Sequence, residues 1–464
     1  MLQIYNTFNQ KKEKFEPITP GQISLYVCGI TVYDYCHIGH ARVFVAFDVI
    51  TRFLRASGWN VNYVRNITDI DDKIINRANE NQEEYQQLTQ RFIQAMHEDE
   101  ARLNVARPDQ EPRATDYINK IIDMTQAIQN HDCAYQGDNG DVYFAVNQYQ
   151  KYGELSHKNL DDLQVGTRVN VAESKRSPLD FVLWKKAKQD EPSWESPWGP
   201  GRPGWHIECS AMATHCLGNH FDIHGGGSDL IFPHHENERA QSECATQEQF
   251  VNHWMHVGFV QVNKEKMSKS LNNFFTIREV LKEYEPEVIR YFLIASHYRS
   301  PVNYSLENLD QAKQALTRMY TALKDVDLGE FDKNKIEKNS WQEKFYQAMN
   351  DDFNTPQALA VLFDLANKIN IAKQEKEYKT AADLGRSLVS LAGILGILSN
   401  SPESFLKGGM ADNVDSTHIE SLIAERNTAR ANKDWAKADQ VRAQLLESGI
   451  VIEDGAGGTT WRKV

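Results

Sequence analysis

The sequence predicts an α/β chain: a doubly wound parallel sheet interrupted by an inserted subdomain, then a helical bundle and a small C-terminal α/β module. Three observations carry that reading. Leu25-Tyr26-Val27 is a short apolar run with the character of a buried parallel strand, and residues 43–56, closed by Gly58, have helical spacing. Val61-Asn62-Tyr63-Val64 is a second strand, so strand, helix and strand make a βαβ unit. From about residue 277 to 400, apolar residues recur at three and four with few glycines, the pattern of packed helices. Such a sheet is Rossmann-like. Its strand-to-helix turns bind nucleotides because the helix N-terminus offers free N–H groups and the positive end of a dipole.

A chain of 464 residues exceeds one core and suggests about three domains. The expected divisions are 1–115 and 191–260 for the two halves of the sheet domain, with 116–190 as the inserted connective subdomain. Residues 261–310 hold a basic loop and its continuation, 311–400 the bundle and 415–464 the terminal module. Hydrophobic content of 41% and charged content of 25% describe an ordinary globular protein. No apolar run approaches the ~20 residues that cross a bilayer. The start, Met1-Leu2-Gln3-Ile4-Tyr5-Asn6, lacks the basic-then-apolar order of a signal peptide, so a cytoplasmic address is expected. The six cysteines, Cys28, Cys36, Cys133, Cys209, Cys216 and Cys244, contain no Cys-x-x-Cys pair, which argues against a disulfide framework. Cys36, Cys133, Cys216 and Cys244 suit small buried apolar positions. The net charge of −13 disfavours non-specific nucleic-acid binding but leaves room for a local basic site.

Between the first strand and helix stands Cys28-Gly29-Ile30-Thr31-Val32-Tyr33-Asp34-Tyr35-Cys36-His37-Ile38-Gly39-His40. Gly39 lets a flat ring approach the backbone, and His37 and His40 can place two N–H donors on a phosphate. The competing reading of the two histidines is helix capping and packing. After the second strand, Arg65-Asn66-Ile67-Thr68-Asp69-Ile70-Asp71-Asp72-Lys73 falls at the same sheet edge. Thr68 is a candidate substrate contact there, whereas Asp71 and Asp72 read first as helix N-terminal charges. Residues 201–210 and 221–238 are dense with chemistry: Gly225 to Gly227 form a backbone-approach loop, and Pro233 suits the first turn of a helix that sets His234 and Glu238 four apart on one face. Asn263-Lys264-Glu265-Lys266-Met267-Ser268-Lys269-Ser270 is a basic loop.

Cys28 ends one strand, Cys209 opens a later helix, and His234 and Glu238 share a third element. If strand carboxyl ends bring them together, two sulfurs, a nitrogen and a carboxylate suit Zn²⁺ better than Mg²⁺ or Ca²⁺, which prefer oxygen shells. The alternative is two buried cysteines and a surface His/Glu helix. His224 and His235 compete for ligand or supporting roles, and spacing does not separate them.

On these residues the chain resembles the cysteinyl-tRNA synthetases, a family of class I aminoacyl-tRNA synthetases, over essentially its whole length. The motifs are residues 28–40, 66–73, 201–209, 224–238 and 266–270, in that order. Ile30 stands where the family often has proline and Asn272 where it often has glycine, departures that bear on loop stiffness. The resemblance implies that Cys28, Cys209, His234 and Glu238 bind one Zn²⁺, with the substrate thiolate as a further ligand and Glu238 as the looser one. It implies attack of the cysteine carboxylate on the α-phosphate of ATP, with Mg²⁺ accompanying the nucleotide, and transfer of cysteine to tRNA(Cys). Catalytic roles fall to His37, His40, Lys266 and Lys269, with Gly39 under the adenine. Gly29, Thr68, Trp205 and His224 are expected at the amino-acid pocket, Trp205 having plain core packing as its alternative. The bundle would present tRNA and the terminal module would read the anticodon through Arg426, Trp435, Asp439 and Arg442, with Arg430, Trp461 and Arg462 nearby. A monomer is expected. The rival readings are a ligase passing activated cysteine to a small amine, a non-catalytic RNA-binding relative and a plain nucleotidyltransferase. The intact loop at 266–270 and the long C-terminal half argue against them.

Overall fold

A short antiparallel hairpin, β1 (Gln3–Asn6) and β2 (Lys11–Lys14), leads into the strand expected from the apolar run at 25–27, β3 (Gln22–Thr31). The computed structural model describes residues 1–159, 174–262, 265–266, 274–407, 416–455 and 458–463. Helix α1 (Ile38–Ala56) returns the chain to β4 (Asn60–Thr68), which pairs parallel with β3 and completes the βαβ unit. The inward stripe of α1, including Phe44, Phe47, Ile50 and Phe53, is buried, which is what holds a 3.6-period helix on a sheet. Helices α2 (Asp72–Asn81), α3 (Tyr85–Arg102) and α4 (Ile118–Asn130) follow. Asp71 caps α2 by accepting from the Lys73 N–H at 2.8 Å, whereas the Asp72 carboxylate pairs with Lys185 and Arg202 and so ties the start of α2 to residues further along the chain.

The expected strand segments around 141–146 and 179–184 form a separate antiparallel sheet. It runs β5 (Ala134–Gln136), β6 (Val142–Phe144), β7 (Phe181–Lys186) and β8 (Gly201–Pro203). β8 lies beyond residue 190, so this sheet reaches further along the chain than local pattern suggested. Gly201 faces Trp184 so closely that a Cβ would stand 2.3 Å from the indole nitrogen. The chain then re-enters the parallel sheet through α5 (Trp205–Leu217), β9 (Phe221–Gly227), α6 (Glu236–Thr246) and β10 (Val251–Val257). The strand order is β10-β9-β3-β4, all parallel. Consecutive strands leave β3 on opposite sides, so the gap between β3 and β9 is the topological switch point where such sheets bind ligands. A small sheet of β11 (Val260–Val262), β12 (Glu265–Lys266) and β13 (Val302–Tyr304) follows.

The chain divides into two compact units, one of 1–279, 293–305 and 346–357, the other of 280–292, 306–345 and 358–464. The second is helical: Leu316, Met319 and Tyr320 of α7 (Leu306–Leu323) are buried, as are Leu362 and Ile369 of α8 (Thr355–Gln374) and Leu388 and Leu391 of α9 (Tyr378–Ile394). It ends in α10 (Ser416–Ala431), α11 (Trp435–Glu447) and the hairpin β14 (Ile450–Gly455) and β15 (Gly458–Lys463). Ile419, Ile423, Val441, Leu445, Ile450, Ile452 and Trp461 form one apolar cluster in this module. Among the described residues no helix is long and apolar enough to cross a membrane.

One buried charge cluster braces β4. Arg65 reaches Glu100 at 2.5 Å and Glu111 at 3.0 Å, with its guanidinium 4.6 Å from the Phe44 ring centroid. Burial alone would raise the Glu111 carboxyl; His97, Arg65 and Arg107 outweigh it and hold the group down at about 2. A carboxyl with a folded pKa below its unfolded value stabilises the fold above the unfolded value and stops doing so as pH falls through the folded one. Glu111→Gln is therefore expected to cost up to ~3 kcal/mol at neutral pH. The difference from the parent should shrink between pH ~4.3 and about 2 in urea titrations. A difference that stays constant across that window would contradict the ion-pair account.

Candidate active site and metal centre

The carboxyl end of β3 carries a register shift between Val27 and Ile30. Here the Gly29 N–H donates to Asn66 Oδ1 at 2.8 Å, and a Cβ on Gly29 would stand 1.7 Å from the Asn66 carbonyl oxygen. Only glycine permits that approach, and the bulge lets Cys28 face the switch point. A cavity of about 560 Å³ opens there, lined by Cys28, Gly29, His37, Gly39, His40, Asn66, Thr68, Trp205, Cys209, Asp229 and His234 among others. Residues from six chain segments thus meet at one sheet edge.

His37 is the N-cap of α1, and the two expected histidines cap each other. The His40 N–H donates to His37 Nδ1 at 3.2 Å and the His37 N–H to His40 Nδ1 at 3.3 Å, with the rings stacked at 3.5 Å and 20°. Because Nδ1 accepts in both neutral rings, the ring proton of each resides on Nε2. Capping and phosphate binding are therefore compatible: one nitrogen serves the helix and the other is a donor beside its N-terminus.

Cys28, Cys209, His234 and Glu238 come together in the fold. Their ligand atoms all lie within 4.8 Å of one another and all four residues are buried. Cys28 Sγ donates to Glu238 Oε1 at 3.1 Å and His234 Nε2 lies 2.9 Å from the same oxygen. A tetrahedral shell with bonds of ~2.0–2.3 Å needs donors about 3.3–3.8 Å apart, so two sulfurs, an imidazole and a carboxylate fit a metal of that size with small adjustments. Cys28, His224, His235 and Glu238 form a second group within the same limit. Two observations separate the groups: Cys209 and His234 line the cavity, whereas His224 and His235 are wholly buried behind it.

Electrostatics agree with a cation site. Burial would raise the Glu238 carboxyl, but His224 and His234 overcome it and hold it far below the usual range. Burial would lower the His234 imidazolium; Glu238 and Cys209 hold it up at about 10. The Cys209 thiol, hydrogen-bonded by Cys28 and His234, is lowered to about 6 while burial pushes Cys28 up. A buried group of sulfur and carboxylate donors favours positive charge, which the His234 imidazolium carries here and a divalent ion would supply in its place.

Thr68 is buried, with Oγ1 donating to Glu208 Oε2 at 3.1 Å. Trp205 is 41% exposed on the cavity wall, 4.4 Å from the His234 ring, so its core-packing alternative is set aside. His224, expected at the pocket, is displaced from it: its Nε2 bonds Glu238 Oε2 at 2.8 Å and its ring stacks on Trp254. The helix expected from Pro233 begins at Glu236, after a wide turn over Ile231–His235 that still puts His234 against Glu238. Lys266 lies in β12, its backbone paired with Gln261, and Lys269 and Asn272 lie outside the described residues. In the terminal module Trp435 is 60% exposed, and Asp439 and Arg442 are exposed on the same helix. Arg426 is instead buried and bidentate on Asp454 at 2.9 Å, Arg430 joins it at 2.7 Å, and Trp461 is core with Nε1 donating to Glu420. Asn66 and Asp229 line the cavity without having been singled out; the polar residues closing the strand at 66 and the turn after Gly227 were the available signals.

Residues 14–314 match the model for the tRNA synthetases class I (C) catalytic domain, 344–399 the DALR domain, and 416–462 the cysteinyl-tRNA ligase anticodon binding domain. The fold is similar to Mycobacterium tuberculosis methionyl-tRNA synthetase in complex with methionyl-adenylate, at a TM-score of 0.57 and 14% identity over 81% of this chain and 89% of that one. It is also similar to the Agrobacterium radiobacter K84 agnB2 LeuRS in its ternary complex, at 0.57 and 11% over 95% of each. The parallel sheet with its capped histidine turn is thus that of a class I aminoacyl-tRNA synthetase. The curated cysteine–tRNA ligase of Thioalkalivibrio sulfidiphilus (strain HL-EbGR7) is 59% identical over 100% of both chains, and that of Azotobacter vinelandii (strain DJ / ATCC BAA-1303) 57% over 100% of this chain and 99% of the relative. The chain belongs to the cysteine–tRNA ligase family.

His224 orients Glu238 from behind, and such supporting partners are worth ~10–100-fold in metal affinity. His224→Ala should weaken Zn²⁺ binding by that factor in competition with a chromophoric chelator while leaving the fold intact by circular dichroism. Unchanged affinity would remove His224 from the centre.

Proposed function

We propose that the protein activates L-cysteine with ATP, giving cysteinyl-adenylate and pyrophosphate, and transfers the cysteinyl group to the 3′ end of tRNA(Cys). One observation carries this reading: the same cavity is lined by the two mutually capped histidines and by the buried two-sulfur cluster. A nucleotide-handling edge and a sulfur-selective wall face one substrate volume.

The cysteine carboxylate attacks the α-phosphate and pyrophosphate leaves, with no covalent enzyme intermediate. The protein contributes positioning and charge neutralisation. The Nε2–H groups of His37 and His40 donate to phosphate oxygens beside the N-terminus of α1, and Gly39 admits the adenine. Lys266 and Lys269 clamp the departing phosphates, and Mg²⁺ accompanies ATP. Thr68, Gly29 and Trp205 form the amino-acid pocket. Cys28, Cys209, His234 and Glu238 would hold Zn²⁺, which when bound favours a thiol that ionises readily over a hydroxyl that does not. An apolar pocket rejects such a near-isostere by only ~10²-fold, so a metal is the more effective discriminator. In the terminal module Trp435, Asp439 and Arg442, spaced by four and three, share one exposed helical face suited to stacking on and hydrogen bonding unpaired anticodon bases. Arg426, through Asp454, holds that helix pair to the hairpin. A cytoplasmic monomer fits this role.

Cysteine-dependent ATP–pyrophosphate exchange tests the activation step. Cys28→Ser should lower zinc content and exchange together, and chelation should do the same to the parent; exchange that survives without zinc would overturn the selection argument. Trp435→Ala should leave exchange unchanged. It should raise KM for tRNA(Cys) by about 5–150-fold, the equivalent of one lost base stack. An equal loss in both assays would place Trp435 in the fold and not in recognition.

A further inference from the structure

Cys133 and Cys244, which the sparse cysteine pattern assigned to apolar packing, stand with their Sγ atoms 2.7 Å apart. An S–S bond is ~2.05 Å long, so about 0.7 Å of approach separates the two thiols from bonding distance. Both residues are free cysteines and both are buried.

The surrounding backbone already holds the pair in place. The Cys133 N–H donates to the Ile128 carbonyl at 3.1 Å, and the Cys133 carbonyl accepts from Ala145 at 2.8 Å. The Cys244 carbonyl accepts from His131 Nδ1 and from Gln247 Nε2, each at 2.9 Å. His131 therefore ties the loop bearing one cysteine to the helix bearing the other. Both thiols belong to an apolar cluster that includes Ile128 and Phe144, while the chain beside them reaches the surface: exposed His131 and Asp132 precede Cys133, and Cys244 stands two residues from the end of α6. Neither cysteine belongs to the metal cluster.

We propose that Cys133 and Cys244 are a reversible redox pair, a modification site that reacts with hydroperoxides and links the loop after α4 to α6, the helix that carries Glu238. The Cys133 thiolate attacks the peroxide oxygen, forming a sulfenic acid and releasing hydroxide. The Cys244 thiol then loses its proton as its sulfur attacks the Cys133 sulfur and expels a second hydroxide. The two thiol protons convert both hydroxides to water, so two thiols and one hydrogen peroxide give one disulfide and two waters. The shared hydrogen bond couples the two thiols, and Cys133, on the loop beside exposed His131 and Asp132, is the one placed to meet a peroxide first. A thiol-based reductant reverses the bond by exchange. In a reducing compartment such a link is transient, as redox-sensing pairs are.

The test uses the zinc-loaded full chain. It is exposed to a few equivalents of hydrogen peroxide, alkylated with iodoacetamide under denaturing conditions and digested without reductant. The expected product is a peptide pair joined through Cys133 and Cys244, two hydrogens lighter than the sum, that separates on treatment with dithiothreitol. In Cys244→Ser the link is lost and dimedone traps a sulfenic acid on Cys133. If both peptides emerge fully alkylated at a peroxide dose that oxidises free cysteine added to the same tube, the proposal is overturned. A disulfide that joins Cys28 to Cys209 while Cys133 and Cys244 stay alkylated overturns it equally.

Discussion

The Glu238 carboxylate, removed from water, is the constraint on which the site depends. It accepts from His224 on one oxygen and meets His234 and Cys28 on the other, so three other elements of the fold converge on two atoms of α6. A buried carboxylate without partners would neutralise by taking a proton. Here the surrounding imidazoles keep it charged. The same cluster is poor as an apolar core and good as a cation cage.

The parallel sheet makes that convergence possible. Because β4 and β9 flank β3 on opposite sides, the connections leaving these strands diverge and open a crevice at the carboxyl edge. Cys28 comes from the end of β3, the histidine turn from the start of α1 and Asp229 from the turn after β9. Gly29 admits Asn66 at a distance no side chain would allow. The inserted antiparallel sheet ends at β8, immediately before Gly204 and the first turn of α5, and so sets where Trp205 and Cys209 emerge.

Some features were legible because their causes are local. The histidine pair at 37 and 40 reads from the sequence as a helix start, and Asp71 reads as a cap, because capping joins residues two or three apart. The terminal module shows where local reading stops. Arg426 and Trp461 have the chemistry of base-reading groups, yet one is locked to Asp454 and the other fills the core. Helical spacing tells which residues share a face; it does not tell which face a later hairpin will cover. The helix expected at Pro233 likewise starts at Glu236, because the wide turn before it is shaped by what packs there and not by proline's preference.

By itself the sequence determined the αβ character of the chain, the nucleotide-type turn, the candidate donors of a metal site and, through its ordered motifs, the family. Those follow from residue types and short spacings, which the chain carries wherever it folds. Only the tertiary structure decided that Cys209 and His234 face the cavity while His224 and His235 stand behind it, and that Cys133 meets Cys244. These depend on strand order and on packing between segments about a hundred residues apart, where no local periodicity reaches.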